Sequence, residues 1–364
     1  MTRFLATFVA SLLGLVLVLP ALLIALPLWG FSASVQAIAA RQARRSVPWE
    51  ELIEFEPEIG WKPRPNLRSS YADKNGDRCT AQTDDEGWPG ARQIEESDVV
   101  VFGDSFAFGY GVDARDAYHS QGRPGCRIKS VGCPGYNMVQ SLLWMRRYAD
   151  RLRGKSLVWF ICMENDLAEN LKPYNSASHT TPFLHTRKGT DDWEMFAEHV
   201  RPKPGHQRES GISNVILFAY LCTPCPYSDR VYTAARYLIQ EAKILCQSQA
   251  AHLAIFSIPY KKQLTEPGLR ELRGHLRTPE AFDPEYPDKR LSWICGELGV
   301  PFIAGTAHLT ITHYKERDGH WNQQGNRKVA EIIESYYRDV RSSSIARSEG
   351  FDTASPVGHS AAGC

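Results

Sequence analysis

Ser105 closes the run Val99-Val100-Val101-Phe102-Gly103-Asp104-Ser105, so a hydroxyl stands directly after an apolar, β-branched stretch. A serine hydroxyl is weakly nucleophilic and attacks a carbonyl only with a base within hydrogen-bond reach. We expect Ser105 to be such a nucleophile, because three further blocks carry the other residue types that acyl chemistry needs. They are Gly132-Cys133-Pro134-Gly135-Tyr136-Asn137, Met163-Glu164-Asn165-Asp166 and Asp318-Gly319-His320-Trp321-Asn322. Between them they hold an imidazole, carboxylates, a side-chain amide and turn-forming glycines. Gly-Asp-Ser alone is a weak signal; the four blocks together are a strong one.

Positioning these blocks is the work of an alternating pattern. Asp98 to Phe102 reads as a buried strand, as do Arg127 to Val131, Ser156 to Cys162, His252 to Ile258 and Val300 to Ala304. Helical spacing runs over Tyr136 to Leu152, Asp229 to Gln249, Lys289 to Leu298 and Asn322 to Val340. Short apolar runs between amphipathic segments predict a parallel sheet covered by helices on both faces. The fold class expected is therefore α/β, a flavodoxin-like three-layer α/β/α sandwich. In such sheets the ligand crevice lies beyond the carboxyl ends of the strands. The blocks sit at three strand ends and before the last helix, so the fold should gather them at one edge.

The four blocks, in this order, resemble the SGNH/GDSL hydrolases over roughly Asp98 to Tyr337. Glu58-Ile59-Gly60-Trp61-Lys62-Pro63 and Asp85-Glu86-Gly87-Trp88 look, more loosely, like the leader of bacterial envelope-associated members. The resemblance implies an esterase in which Ser105 attacks an ester carbonyl, His320 is the base, and Asp318 holds the imidazole tautomer. It implies an oxyanion hole built from the Ser105 N–H, the Gly135 N–H and the Asn165 amide, with Gly132 the second-choice glycine. Asp104 is read as a turn cap and Asp166 as the support of the Asn165 loop. Two positions depart from the family pattern. Met163 stands where a glycine is usual, two residues before the asparagine, and Arg317 occupies the place three before the histidine where many members carry the acid. The same site would serve an O-acyltransferase, and a non-catalytic carbohydrate-binding or scaffold protein is the alternative from another class. An acetylated cell-envelope or exported polysaccharide is the substrate class the resemblance suggests.

The rest of the chain narrows the setting. A formal net charge of +1 among 364 residues gives no electrostatic footprint for nucleic acid. Phe4 to Trp29 contain no charged side chain, long enough for a spanning helix of roughly 20 residues. The expected organisation is a membrane anchor at 1–30, a membrane-proximal helix and irregular leader at 31–97, the hydrolase-type domain at 98–340 with a lid-like insertion at 171–214, and a disordered tail at 341–364. Within the insertion, Phe183 to Phe196 reads as a hairpin turning at Lys188-Gly189-Thr190. Arg41, Arg44 and Arg45 lean slightly toward a cytoplasmic C-terminal domain; the family resemblance points to an exported one, and that is the expectation adopted. Nine cysteines are present, and Cys222-Thr223-Pro224-Cys225 has redox spacing without a thioredoxin-like context, so a disulfide or two free thiols is expected. Neither a nucleotide loop nor a metal-ligand spacing is found, and no cofactor is expected.

Overall fold

The computed structural model describes residues 49–73, 76–122, 125–174, 179–187, 190, 192–198, 200 and 213–352. The expected anchor and membrane-proximal helix over residues 1–47 lie outside the described residues, as does the hairpin tip at 188–189. Among the described residues no helix is long and apolar enough to cross a membrane.

Two antiparallel hairpins come first, β1 (Ile53–Glu56) with β2 (Gly60–Pro63) and β3 (Arg68–Ala72) with β4 (Arg78–Gln82). The strand–helix alternation then begins with β5 (Val99–Gly103), α1 (Ser105–Phe108), β6 (Ile128–Gly132), α2 (Met138–Arg147), β7 (Ser156–Cys162) and α3 (Asp166–Glu169). A third hairpin, β8 (Phe183–Thr186) with β9 (Trp193–Phe196), precedes α4 (Asn214–Leu221) and α5 (Pro226–Ser248). The chain continues through β10 (His252–Ile258), α6 (Glu266–Gly274), α7 (Tyr286–Leu298), β11 (Phe302–Ala304) and α8 (Gln323–Asp352).

The central sheet has five strands in the order β6-β5-β7-β10-β11, all parallel. Counting only these strands the order is 2-1-3-4-5, the doubly wound arrangement whose topological switch falls between the first and third. Here the switch lies between β5 and β7, the strands that lead into Ser105 and Asn165. Alternate side chains feed two separate cores, as the two-residue strand period requires. Val100, Phe102, Leu157, Trp159 and Ile161 pack with Leu142 of α2, Leu238 of α5 and Leu291 of α7. Val99, Val101, Val158, Phe160 and Cys162 pack with Val329, Ile332 and Ile333 of α8. Both faces of the sheet are thus covered, which is why β5 and β7 are apolar along nearly their whole length.

The leader is part of this body. Ile53, Ile59, Trp61, Trp88 and Ile94 are buried in the first of the two cores, so no packing boundary falls at 97. Lys129 of β6 and Asp84 form an ion pair at 2.6 Å with side chains only 1% and 2% exposed. Breaking such a pair from one side leaves an uncompensated buried charge, at a cost of about 3–5 kcal/mol. Lys129→Met is therefore expected to lower the unfolding free energy by about that amount, read from denaturant melts. Adding Asp84→Asn should recover part of the loss, and a Lys129→Met protein as stable as the parent would contradict the role given to the pair.

Two expectations need correction. The last helix continues to Asp352 rather than giving way to a disordered tail at 341, because Arg341 to Glu349 contains neither glycine nor proline to stop it; residues 353–364 lie outside the described residues. The 183–196 hairpin forms, but it leans on the helical face and not over the strand ends. Trp193 and Met195 pack against the first core, and the Arg230 guanidinium of α5 lies over the Trp193 ring. The Cys-x-x-Cys segment is a helix start: Cys225 caps α5 by accepting the Ser228 N–H, with Pro226 in the first turn. Cys222 and Cys225 are free thiols, as are the other six described cysteines.

Candidate active site

β5 delivers Ser105 through a tight turn. Asp104 caps α1, its Oδ1 accepting the Phe106 N–H at 3.0 Å. Ser105 opens this short helix, and a first-turn backbone N–H has no partner inside its own helix. The Ser105 side chain points toward His320, whose Nε2 is 2.7 Å from Oγ. The other ring nitrogen, Nδ1, is 2.7 Å from Asp318 Oδ1. Donation from Ser105 O–H to Nε2 and from Nδ1–H to Asp318 is the one tautomer that satisfies both contacts. Asp318 is 1% exposed and Ser105 8%, so the array is largely shielded from water. Asp104 Oδ2 lies 3.3 Å from Ser105 Oγ, a second and longer option for the hydroxyl. The His320 ring is flanked by Phe106 and Tyr110, with centroids at 5.0 and 4.8 Å.

The loop that carries Asp318 and His320 is held by two lysines that the sequence reading missed. Lys261, just past β10, donates from Nζ to the carbonyls of Lys315, Glu316 and Asp318. All three ammonium hydrogens are thereby used on one loop. Lys315 reaches the other way: it donates to the Gly111 carbonyl at 2.8 Å and pairs with Asp73 and Asp77 of the leader. Burial works against the Lys315 ammonium, yet these carboxylates outweigh it and hold its pKa above the usual value. Tyr71 adds a further tie, its hydroxyl accepting the Gly111 N–H at 2.9 Å.

The remaining predicted residues divide. Gly135 follows β6 with a φ of +83°, a backbone region that favours glycine, and it lines the same cavity as Ser105, Asn165 and His320. Gly132 does not line that cavity. A Cβ there would come within 2.4 Å of Ala107 Cβ, so its glycine serves the close approach of β6 to α1. Asn165 lies at the cavity wall, with Nδ2 3.1 Å from Asp166 Oδ1 and 3.3 Å from Glu169 Oε2. An oxyanion would have to share or displace one of these carboxylates to use the amide. Asp166 also accepts the Cys162 N–H at 2.8 Å, which fixes the turn after β7. Met163 is buried in the first core, its N–H donates to the Ile258 carbonyl at 3.0 Å, and its φ is not positive; no glycine is required there.

Asp104, Cys162 and Asp166 bring donor atoms within 4.8 Å of one another. Burial pushes both carboxyls up, Asp166 well above the usual carboxylate range with the Asp104 charge adding to it. Burial also raises the Cys162 thiol well above its usual value. Asp166 is already engaged by the Cys162 N–H and the Asn165 amide, and Asp104 by the Phe106 N–H, so these carboxyls brace the turns around the site.

The cavity beside Ser105 has a volume of about 550 Å³. Phe106, Tyr110, Tyr260 and Ile311 give it an apolar side, while Glu164, Lys262 and Arg317 stand on its rim. Among the described residues of the 171–214 segment, His179 and Asn214 line it.

No protein-family model and no curated protein matches the sequence. Solved structures do show similarity. One is a carbohydrate acetylesterase family member from Sinorhizobium meliloti, at 12% identity and a TM-score of 0.37, covering 66% of this chain and 96% of that one. Another is the aryl esterase of M. smegmatis in an inhibitor-bound form, at 9% identity and 0.38, covering 67% and 98%. A third is an acetyl xylan esterase, at 12% and 0.35, covering 65% and 98%. Likeness of this degree transfers no activity to this chain.

Proposed function

We propose that the protein is a serine esterase of the SGNH type that removes a small acyl group, such as acetyl, from a carbohydrate. The observation that carries this reading is the unbroken chain of 2.7 Å contacts from Ser105 through His320 to Asp318. In the proposed reaction His320 takes the Ser105 proton as Oγ attacks the ester carbonyl. The N–H groups of Ser105 and Gly135, with the Asn165 amide, receive the oxyanion; each such donor is worth roughly 10²–10³ in rate. Collapse breaks the bond to the alkoxy oxygen, which leaves with the proton held by His320. Water, activated by the same imidazole, then hydrolyses the acyl-enzyme and restores Ser105.

Asp104 and Asp166 act here as braces for Ser105 and Asn165. Phe106, Tyr110, Tyr260 and Ile311 suit a short acyl group. Export of the domain on its amino-terminal anchor, toward an acetylated envelope polysaccharide, belongs to the same proposal. Protease treatment of spheroplasts tests the location: digestion supports export, and protection rejects it. A fluorophosphonate probe tests the chemistry, since it labels only an activated serine. Labelling at Ser105 by peptide mapping is expected, and an unlabelled protein that releases no acetate would sink the reading.

Acyl transfer to a sugar hydroxyl is the second reading, favoured by His179 and Asn214 at the cavity wall, two polar side chains placed to receive an acceptor sugar. Adding an oligosaccharide acceptor separates the two: free acetate with no acylated acceptor rejects transfer.

Lys261 is assigned as a positioning residue for this reaction. Removing its three loop contacts lets Asp318 and His320 drift, and a displacement of about 1 Å costs up to about 10²-fold. Lys261→Met is expected to lower kcat by roughly that factor while KM changes little. Unchanged kcat in a folded variant would remove the assignment.

A further inference from the structure

We infer that the substrate is an oligosaccharide or polysaccharide chain, bound across two adjoining cavities with its acylated unit at Ser105. This rests on the esterase reading and extends it. A second cavity of about 680 Å³ lies on the far side of the loop that carries Asp318. Glu316 and Arg317 line both cavities, so the two spaces adjoin at these two residues.

The chemistry of the second cavity selects what continues. Its walls carry Asp77, Arg78, Asp113, Gln323 and Gln324 beside Val112 and Tyr314, so polar groups stand on every side of the few apolar ones. Both charge signs occur in its lining, which suits neither a polyanion nor a polycation. Such a wall donates and accepts hydrogen bonds within the same small space, as vicinal hydroxyls require. Arg78, Glu316, Arg317 and Gln324 make no side-chain hydrogen bond or ion pair among the described residues. They are the polar groups left over after the fold has used the rest. Lys315, by contrast, is tied to Asp73 and Asp77, and Gln323 donates to Asp116. The division of labour follows: the apolar side of the first cavity takes the acyl group, and the second takes neighbouring sugar units. Binding energy gathered there, remote from the reacting carbonyl, is available to raise turnover.

The test compares chain lengths on the full protein. O-acetylated xylo-, manno- and gluco-oligosaccharides of two and six units are assayed for acetate release beside 4-nitrophenyl acetate. At least tenfold higher kcat/KM on the hexamer of one backbone is expected. Arg78→Ala with Gln324→Ala should bring that hexamer down to the value of its dimer, with 4-nitrophenyl acetate turnover unchanged. Should the double variant lose aryl acetate turnover as well, Gln324→Ala alone, at an exposed position of α8, carries the comparison. Equal rates for both lengths on all three backbones, or a length advantage that survives these substitutions, overturns the inference while leaving the esterase standing. Failure to cleave 4-nitrophenyl acetate at all removes the esterase reading, and this inference with it.

Discussion

Replacing Ser105 with alanine is expected to lower ester turnover by roughly 10⁶-fold, the scale seen when the nucleophile of such an array is deleted. The change removes a single oxygen. Asp104 still caps α1 through the Phe106 N–H, and Ala is a better helix former than Ser, so the turn persists. His320 loses its 2.7 Å partner but keeps Asp318. Thermal melts should therefore agree within a few degrees while 4-nitrophenyl acetate turnover falls to background. The two readouts must separate: if activity and stability fell together, the loss would report unfolding and say nothing of chemistry. Full turnover in a folded Ser105→Ala protein would end the case for this nucleophile.

Asp318→Asn is the second large effect, expected at about 10⁴-fold in kcat. The reasoning is one of proton placement. The aspartate at 2.7 Å accepts the Nδ1–H of His320, which leaves the Nε2 lone pair facing Ser105. An asparagine that turns its NH₂ toward Nδ1 makes that nitrogen an acceptor and drives the proton to Nε2. The ring is then a donor where a base is required. The loop itself stays in place, because Lys261 and Lys315 hold it through backbone carbonyls and the leader carboxylates. KM should move little, and reaction of Ser105 with a fluorophosphonate should slow in parallel. A variant with wild-type kcat would show that His320 leans on another acceptor.

How far these features could be read in advance follows from how local they are. β5 and β7 announce themselves as apolar runs ending in glycine and cysteine, because a strand covered on both faces has little polar side to show. Ser105, Asn165 and His320 are legible because each sits in a compact block beside a strand or helix end. Asp318 required a choice between neighbouring positions, and its 2.7 Å contact answers a question that Arg317 had raised. Lys261 left no such trace. It stands 57 residues from Asp318, and a lysine after a strand carries no pattern of its own. Asp73 and Tyr71 are hidden for the same reason, within a leader whose residues suggest irregular structure with short strands wrapped onto the following domain but not which of them reach the site. The 183–196 hairpin was recognisable from its turn, but which surface it covers depends on packing against α2 and α5. Met163 was a departure on paper only: its backbone avoids the left-handed region, so a bulky side chain fits and fills the core.

The contact between Ser105 and His320 spans 215 positions of the chain. A ribosome adding about 5–20 residues per second needs roughly 10–40 s to travel that distance. Throughout that interval the emerging polypeptide has its hydroxyl but lacks the imidazole that would activate it. On the proposed reaction, an incomplete chain has a hydroxyl but no base to activate it toward an ester. On that reaction, turnover becomes possible only after the last strand and His320 have been synthesised, a delay written into the order of the elements.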